Sequence, residues 1–175
     1  MTLLAAYTVV SAGLQGQQIK ATEYQVKAAY LYNFGRFVNW SAGTQPRDSG
    51  PFSVCVIGTD PFGPSLEGTL GGETIDQRKV VTRRISKPQE ATSCQILFVS
   101  ASESGRLKDI FPAIEKMNVL TVSDIPGFSE HGGMIQFVAQ RDKIRFEVNL
   151  SNIERAGLSL SSELLKVAVT VRRNS

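Results

Sequence analysis

Phe52-Ser-Val-Cys-Val-Ile57 runs directly into Gly58-Thr-Asp-Pro-Phe-Gly63. The first six residues form a short, β-branched, apolar run, the pattern of a strand buried on both faces. The glycines then turn the chain, and Asp60-Pro61 is a good start for a helix through about Leu70. A strand that turns straight into a helix opens a βα unit, and the following sequence repeats the theme. Lys79 to Ile85 reads as a second strand, Gln95 to Val99 as a third opened by Cys94, and Val119 to Val122 as a fourth. Before the fourth, Ser102 to Met117 is amphipathic, with Leu107, Ile110, Phe111, Ile114 and Met117 on one side. Strands alternating with helices imply an α/β fold with a mostly parallel sheet flanked by helices on both faces.

Outward from this centre, Thr22 to Asn39 reads as a helix capped by Thr22. Val26, Ala29, Tyr30, Phe34, Phe37 and Val38 recur in it at helical spacing. A polar loop, Ser41 to Pro51, leads back to the first strand. Towards the C-terminus, Met134 to Val138 and Lys143 to Leu150 form a C-terminal antiparallel hairpin around Gln140-Arg141-Asp142, placed at the sheet edge. Alternation in its second arm puts Ile144, Phe146, Val148 and Leu150 on one face and Arg145, Glu147 and Asn149 on the other. A last helix from about Ser161 to Val171 closes a single domain over 22–172.

The chain of 175 residues is long enough to bury a real core, and 42% hydrophobic with 20% charged residues is a globular composition. A formal charge of +3, with only a modest basic cluster at Arg78, Lys79, Arg83, Arg84 and Lys87, argues against nucleic-acid binding. Leu3 to Leu14 is an apolar run too short to span a bilayer, followed by the small and polar residues Ser11 to Gln17. Residues 1–21 therefore read as a secretory signal peptide. No basic residue precedes the run, which leaves a buried N-terminal strand or helix as the competing reading. Export changes how Cys55 and Cys94 read. In an oxidising compartment they are a candidate bridge; in the cytosol they would be buried thiols. In the common doubly wound order the first strand lies between the second and third, which would make the two cysteines neighbours.

No residue set reads as catalytic. Gly58 to Gly63 opens a crevice of the kind that binds ligands beside helix N-termini, but it carries neither a dinucleotide fingerprint nor a P-loop. His131, in Phe128-Ser-Glu-His-Gly-Gly133, lacks a nucleophile or metal partner in sequence, and its plain reading is a surface loop. Asp60, Asp76, Asp124, Glu130 and Glu147 show no paired spacing. The Cys and His content gives no zinc pattern, so neither a metal nor a cofactor is expected. Trp40 is either an interface anchor or a lid over the core. Binding is the class that remains.

Several stretches in order resemble the YfiR family. They are Glu23-Tyr-Gln-Val-Lys-Ala-Ala-Tyr-Leu-Tyr-Asn-Phe34 with Phe37-Val-Asn-Trp40, Cys55-Val-Ile-Gly58, Asp60-Pro-Phe-Gly63 and Cys94-Gln-Ile-Leu-Phe-Val-Ser100. Leu120-Thr-Val-Ser-Asp124, Gly132-Gly-Met-Ile135, Phe146-Glu-Val-Asn-Leu150 and Ala156-Gly-Leu158 through Ser161-Ser-Glu-Leu-Leu-Lys166 complete the series. The resemblance implies a periplasmic α/β protein, often a homodimer. Such a protein binds the periplasmic domain of an inner-membrane diguanylate cyclase and holds it inactive, lowering cyclic di-GMP and with it biofilm and exopolysaccharide. It implies an OmpA-like outer-membrane lipoprotein as a second partner. Cys55 and Cys94 match one disulfide of the family, while Ser129 and Gln136 stand where some members carry a second pair. By motif position, Ile135, Glu147 and Ile153 are the partner-binding candidates, with ordinary packing as their alternative role. The rival class is a periplasmic small-molecule sensor or enzyme using the crevice beside Gly58–Gly63.

Overall fold

The structure, a computed structural model, describes residues 12–40 and 50–173. The expected leader lies outside them as far as residue 11, as does most of the loop expected over Ser41 to Pro51. In chain order the elements begin with α1 (Ala12–Phe37), β1 (Val38–Trp40), β2 (Phe52–Ile57), α2 (Pro64–Leu70), β3 (Thr74–Ile75), β4 (Arg78–Ile85) and β5 (Ile96–Val99). They continue with α3 (Leu107–Ile114), β6 (Leu120–Ser123), β7 (Ile135–Gln140), β8 (Lys143–Asn149) and α4 (Leu150–Arg155). β9 (Leu158–Leu160), α5 (Ser162–Val167) and β10 (Thr170–Arg172) follow.

Eight strands form one sheet in the order β10-β8-β7-β6-β5-β2-β4-β3, and β1 pairs with β9 in a separate antiparallel ribbon. β2 lies between β4 and β5, parallel to both. The ladders β5–β6, β6–β7 and β8–β10 are also parallel; β7–β8 and β3–β4 are antiparallel. Strict alternation along β2 and β5 divides the interior. Phe52, Val54, Val56, Ile96 and Phe98 face a larger core with Leu31 and Phe34 of α1 and Leu66 and Leu70 of α2. Cys55, Ile57, Leu97 and Val99 face a smaller core with Ile110 and Ile114 of α3. Trp40 is packed as a lid, edge-to-face on Phe52 with centroids 5.3 Å apart.

Several boundaries differ from the sequence expectation. α1 runs through Thr22, which is therefore not its cap; Gln17-Gln-Ile-Lys-Ala21 contains no breaker to stop it. At its other end it stops at Phe37, because Val38 to Trp40 pairs with β9. Asp60 does not open α2. Its Oδ1 accepts the N–H of Phe62 at 2.8 Å, a local Asx turn, and Pro64 takes the first helical turn instead. The expected helix over Ser102 to Met117 is a 3₁₀ turn, Ala101–Arg106, followed by the eight-residue α3. The last helix ends at Val167 and the chain returns as β10 alongside β8, so the hairpin is not the sheet edge. Leu150 belongs to α4 rather than to the strand. Both hairpins turn on two residues of positive φ, Asp76-Gln77 (49° and 63°) and Arg141-Asp142 (50° and 59°), as tight turns between twisted strands require.

Candidate functional site

The sheet's topological switch point lies at the carboxyl ends of β2 and β5, where open α/β sheets commonly hold ligands. Here the chain fills it. Ser100 Oγ donates to Thr59 O at 2.6 Å, and Thr59 N–H donates to Ser102 Oγ at 2.9 Å, stitching the two loops together. Phe62 packs edge-to-face on Phe98 at 4.7 Å and on Tyr24 at 5.2 Å. Gly58 has φ +92°, and any Cβ there would collide with Ser102 and Glu103. Asp60 is occupied by Arg84, whose guanidinium also reaches Glu67. The arginine holds the Glu67 carboxyl below its ordinary range. The Gly58 end of the expected crevice is thus packed against Ser102 and Glu103.

His131 lies exposed in the loop before β7, its Nδ1 2.7 Å from Gly127 O; a carbonyl only accepts, so Nδ1 carries the proton. It borders an apolar groove of about 250 Å³ lined also by Phe111, Met117, Met134 and Arg155. Among the described residues no three His, Cys, Asp or Glu side chains cluster as a metal site.

The partner-binding candidates divide. Ile135 and Ile153 are fully buried in the larger core, so the packing role is the one they play here and neither presents a side chain to the surface. Glu147 sits on the opposite face of β8, mostly covered. Its Oε2 meets Arg172 at 3.3 Å, and the same guanidinium reaches Glu130 at 3.1 Å. Glu147 is therefore not the free outward residue that alternation implies, and Asn149 beside it is completely buried. Asn149 Nδ2 donates to Ser129 O at 2.8 Å. Ser129 N–H donates to Gln136 Oε1 at 3.1 Å, so the two positions aligned with a second cysteine pair do adjoin, joined here by a hydrogen bond. Arg172 was hidden from sequence reading because its three-residue strand has no signal of its own.

A second polar cluster also escaped it. Lys27 of α1 is 3% exposed, and its Nζ contacts Asp124 Oδ2 at 2.7 Å and Glu23 Oε1 at 2.5 Å. Tyr24 Oη donates to the same Asp124 oxygen at 2.8 Å. Burial, then that bond and the carboxylate's charge, push the Tyr24 phenol well above its ordinary value. Lys27 stands three residues after Tyr24 and four before Leu31, inside the buried stripe of α1. That position was the available signal.

Solved structures share this architecture. A conserved domain protein from Vibrio cholerae O1 biovar El Tor matches with a TM-score of 0.51 at 11% identity, over 69% of this chain and 54% of that one. The ABC domain in complex with L-Trp from Streptococcus pneumoniae matches with a TM-score of 0.57 at 9% identity, over 86% and 60%. The chain spans little more than half the length of each, and at these identities the likeness is one of fold alone. At the level of sequence, the family profile described as YfiR/HmsC-like matches residues 24–169. That stretch takes in both cysteines, the Lys27–Asp124 cluster and the hairpin, and the chain belongs to the YfiR/HmsC-like family.

Proposed function

We propose that this protein is a non-catalytic periplasmic regulator that binds the periplasmic domain of an inner-membrane diguanylate cyclase and holds it inactive. The family match over 24–169 carries the reading. Two features support it. A disulfide joins Cys55 to Cys94, as suits a chain folding in an oxidising compartment after export by its leader. The Gly58 end of the switch-point crevice that an enzyme or sensor would use is packed against Ser102 and Glu103. Glu130, Glu147 and Arg172 form the contact face, with Ile135 and Ile153 bracing β7 and α4 from behind. A homodimer and an OmpA-like lipoprotein that sequesters the regulator complete the scheme.

Deleting the gene should raise cyclic di-GMP and biofilm, and the exported protein, but not a leaderless form, should restore both. Cyclic di-GMP is measured by mass spectrometry in strains expressing the cyclase; equal levels in deletion and parent would overturn the proposal. Glu130→Lys is the sharper surface probe, because Glu130 is half-exposed and should lose repression while keeping the fold. Glu147→Lys is unsuitable, since Glu147 is only 18% exposed and a lysine there is held against Arg172, whereas one at the half-exposed position 130 can turn into solvent.

A further inference from the structure

β4 is paired with β2 from Val80 to Ile85, but on its other side β3 reaches only Arg78 and Lys79. One further bond, Val80 N–H to Glu73 O at 2.9 Å, ends that ladder. Among the described residues no strand pairs with the outer side of Val81–Ile85. Because Val80 N–H points outward and alternate residues of a strand point the same way, Thr82 and Arg84 hold their N–H and C=O towards this open edge. An unpaired edge of this kind is a template for another strand.

The charges along it select the occupant. Of the five basic residues here, Arg78 is bound to the carbonyls of Gly50 and Pro51, and Arg84 is neutralised by Asp60 and Glu67. Lys79, Arg83 and Lys87 remain exposed, with no carboxylate of the described residues in an ion pair with them. Arg83 meets only the hydroxyl of Ser93, and Glu90, near Lys87, spends its carboxylate on the N–H groups of Ser86 and Lys87. Lys79 and Arg83 share one face of the strand, four residues and about 13 Å apart, and Lys87 follows two residues beyond the strand's end. A second copy paired antiparallel about Arg83 would set Arg83 against Arg83 and Lys79 against Lys87, whereas an acidic strand answers these charges directly.

We propose that the open edge of β4 is a second docking surface, which takes an extended segment of a partner protein bearing carboxylates at every fourth residue by strand addition. Main-chain bonds to Thr82 and Arg84 supply the pairing, and Lys79, Arg83 and Lys87 supply the selection. It lies four strands from the hairpin and is independent of the regulator reading.

The test uses the full oxidised protein and a fluorescein-labelled peptide, Glu-Val-Thr-Val-Glu-Val-Thr-Val-Glu, followed by anisotropy. Saturable binding is expected, and none with the peptide in which lysine replaces glutamate. Thr82→Pro removes one outward N–H without touching the β2 ladder, a change that edge strands tolerate. It should weaken binding at least about ten-fold with an unchanged circular dichroism spectrum. Arg83→Glu should weaken it by a similar factor at low salt. Absence of saturable binding, or equal binding by wild type and Thr82→Pro, overturns the proposal. So does stronger association of wild type and Thr82→Pro alike with phosphatidylglycerol vesicles, which would assign the cations to a lipid surface.

Discussion

Lys27 can be buried only because two carboxylates and the face of the Tyr24 ring, 4.3 Å from Nζ, replace its water. Lys27→Met keeps the volume but leaves the Asp124 carboxylate, 14% exposed, without its cation and with the neutral Tyr24 hydroxyl as donor. It should lower the unfolding free energy in urea by about 3 kcal/mol. Adding Asp124→Asn should recover part of that loss, since the stranded charge is then gone. Tyr24 gives the cluster a pH signature. Its folded state favours the neutral phenol, so its contribution is full below the ordinary value of 10.0 and is lost as pH rises from there towards the elevated folded value. Urea titrations between roughly pH 8 and pH 11 should show stability falling at the alkaline end, and falling less steeply in Tyr24→Phe.

Cys55 lies in the middle of β2 and Cys94 at the turn that opens β5, with Cα atoms 5.9 Å apart and 39 positions apart in sequence. Both belong to the smaller core beside Ala91, Leu97 and Ile110. Replacing both with alanine should cost about 4 kcal/mol in chemical denaturation by the loop-entropy estimate, with the fold retained on the strength of two packed sheet faces. Alkylation of the unfolded, unreduced protein followed by mass spectrometry should find neither cysteine modified. This bridge was legible in sequence because it follows from β2 lying between β4 and β5; β2 and β5 are apolar runs strong enough to read alone, and β4 shows through its β-branched Val80-Val81-Thr82 and Ile85. The same holds for β6 and for the β7–β8 hairpin. β1, β3, β9 and β10 were not legible. Each is two or three residues long; β3 is a strand only through the short turn to β4, and β1, β9 and β10 only through distant partners, Phe37-side backbone with Ser161 or Val171 with Val148. At the candidate site, Glu147 was found by motif position, whereas Arg172 and Lys27 depend on contacts 25 and 97 residues away.

On the scale of the whole molecule, one sheet separates two cores of unequal size and carries different chemistry at its two ends. At the hairpin end the face opposite the larger core is polar, with Gln136, Glu147, Asn149 and Arg172 bound to the loop that holds Ser129 and Glu130. At the other end the cationic edge of β4 stays open. If both proposed docking surfaces exist, the two ends of the eight-stranded sheet keep them apart. Burial of the cysteine pair has a further meaning for the protein's history. Both residues are completely inaccessible to solvent, so no dissolved thiol reaches the sulfurs while the domain is intact. An oxidase must therefore act on the chain before it packs. The state of the bridge in a mature molecule is a record of where that chain folded, and it does not gauge the surroundings the protein meets afterwards.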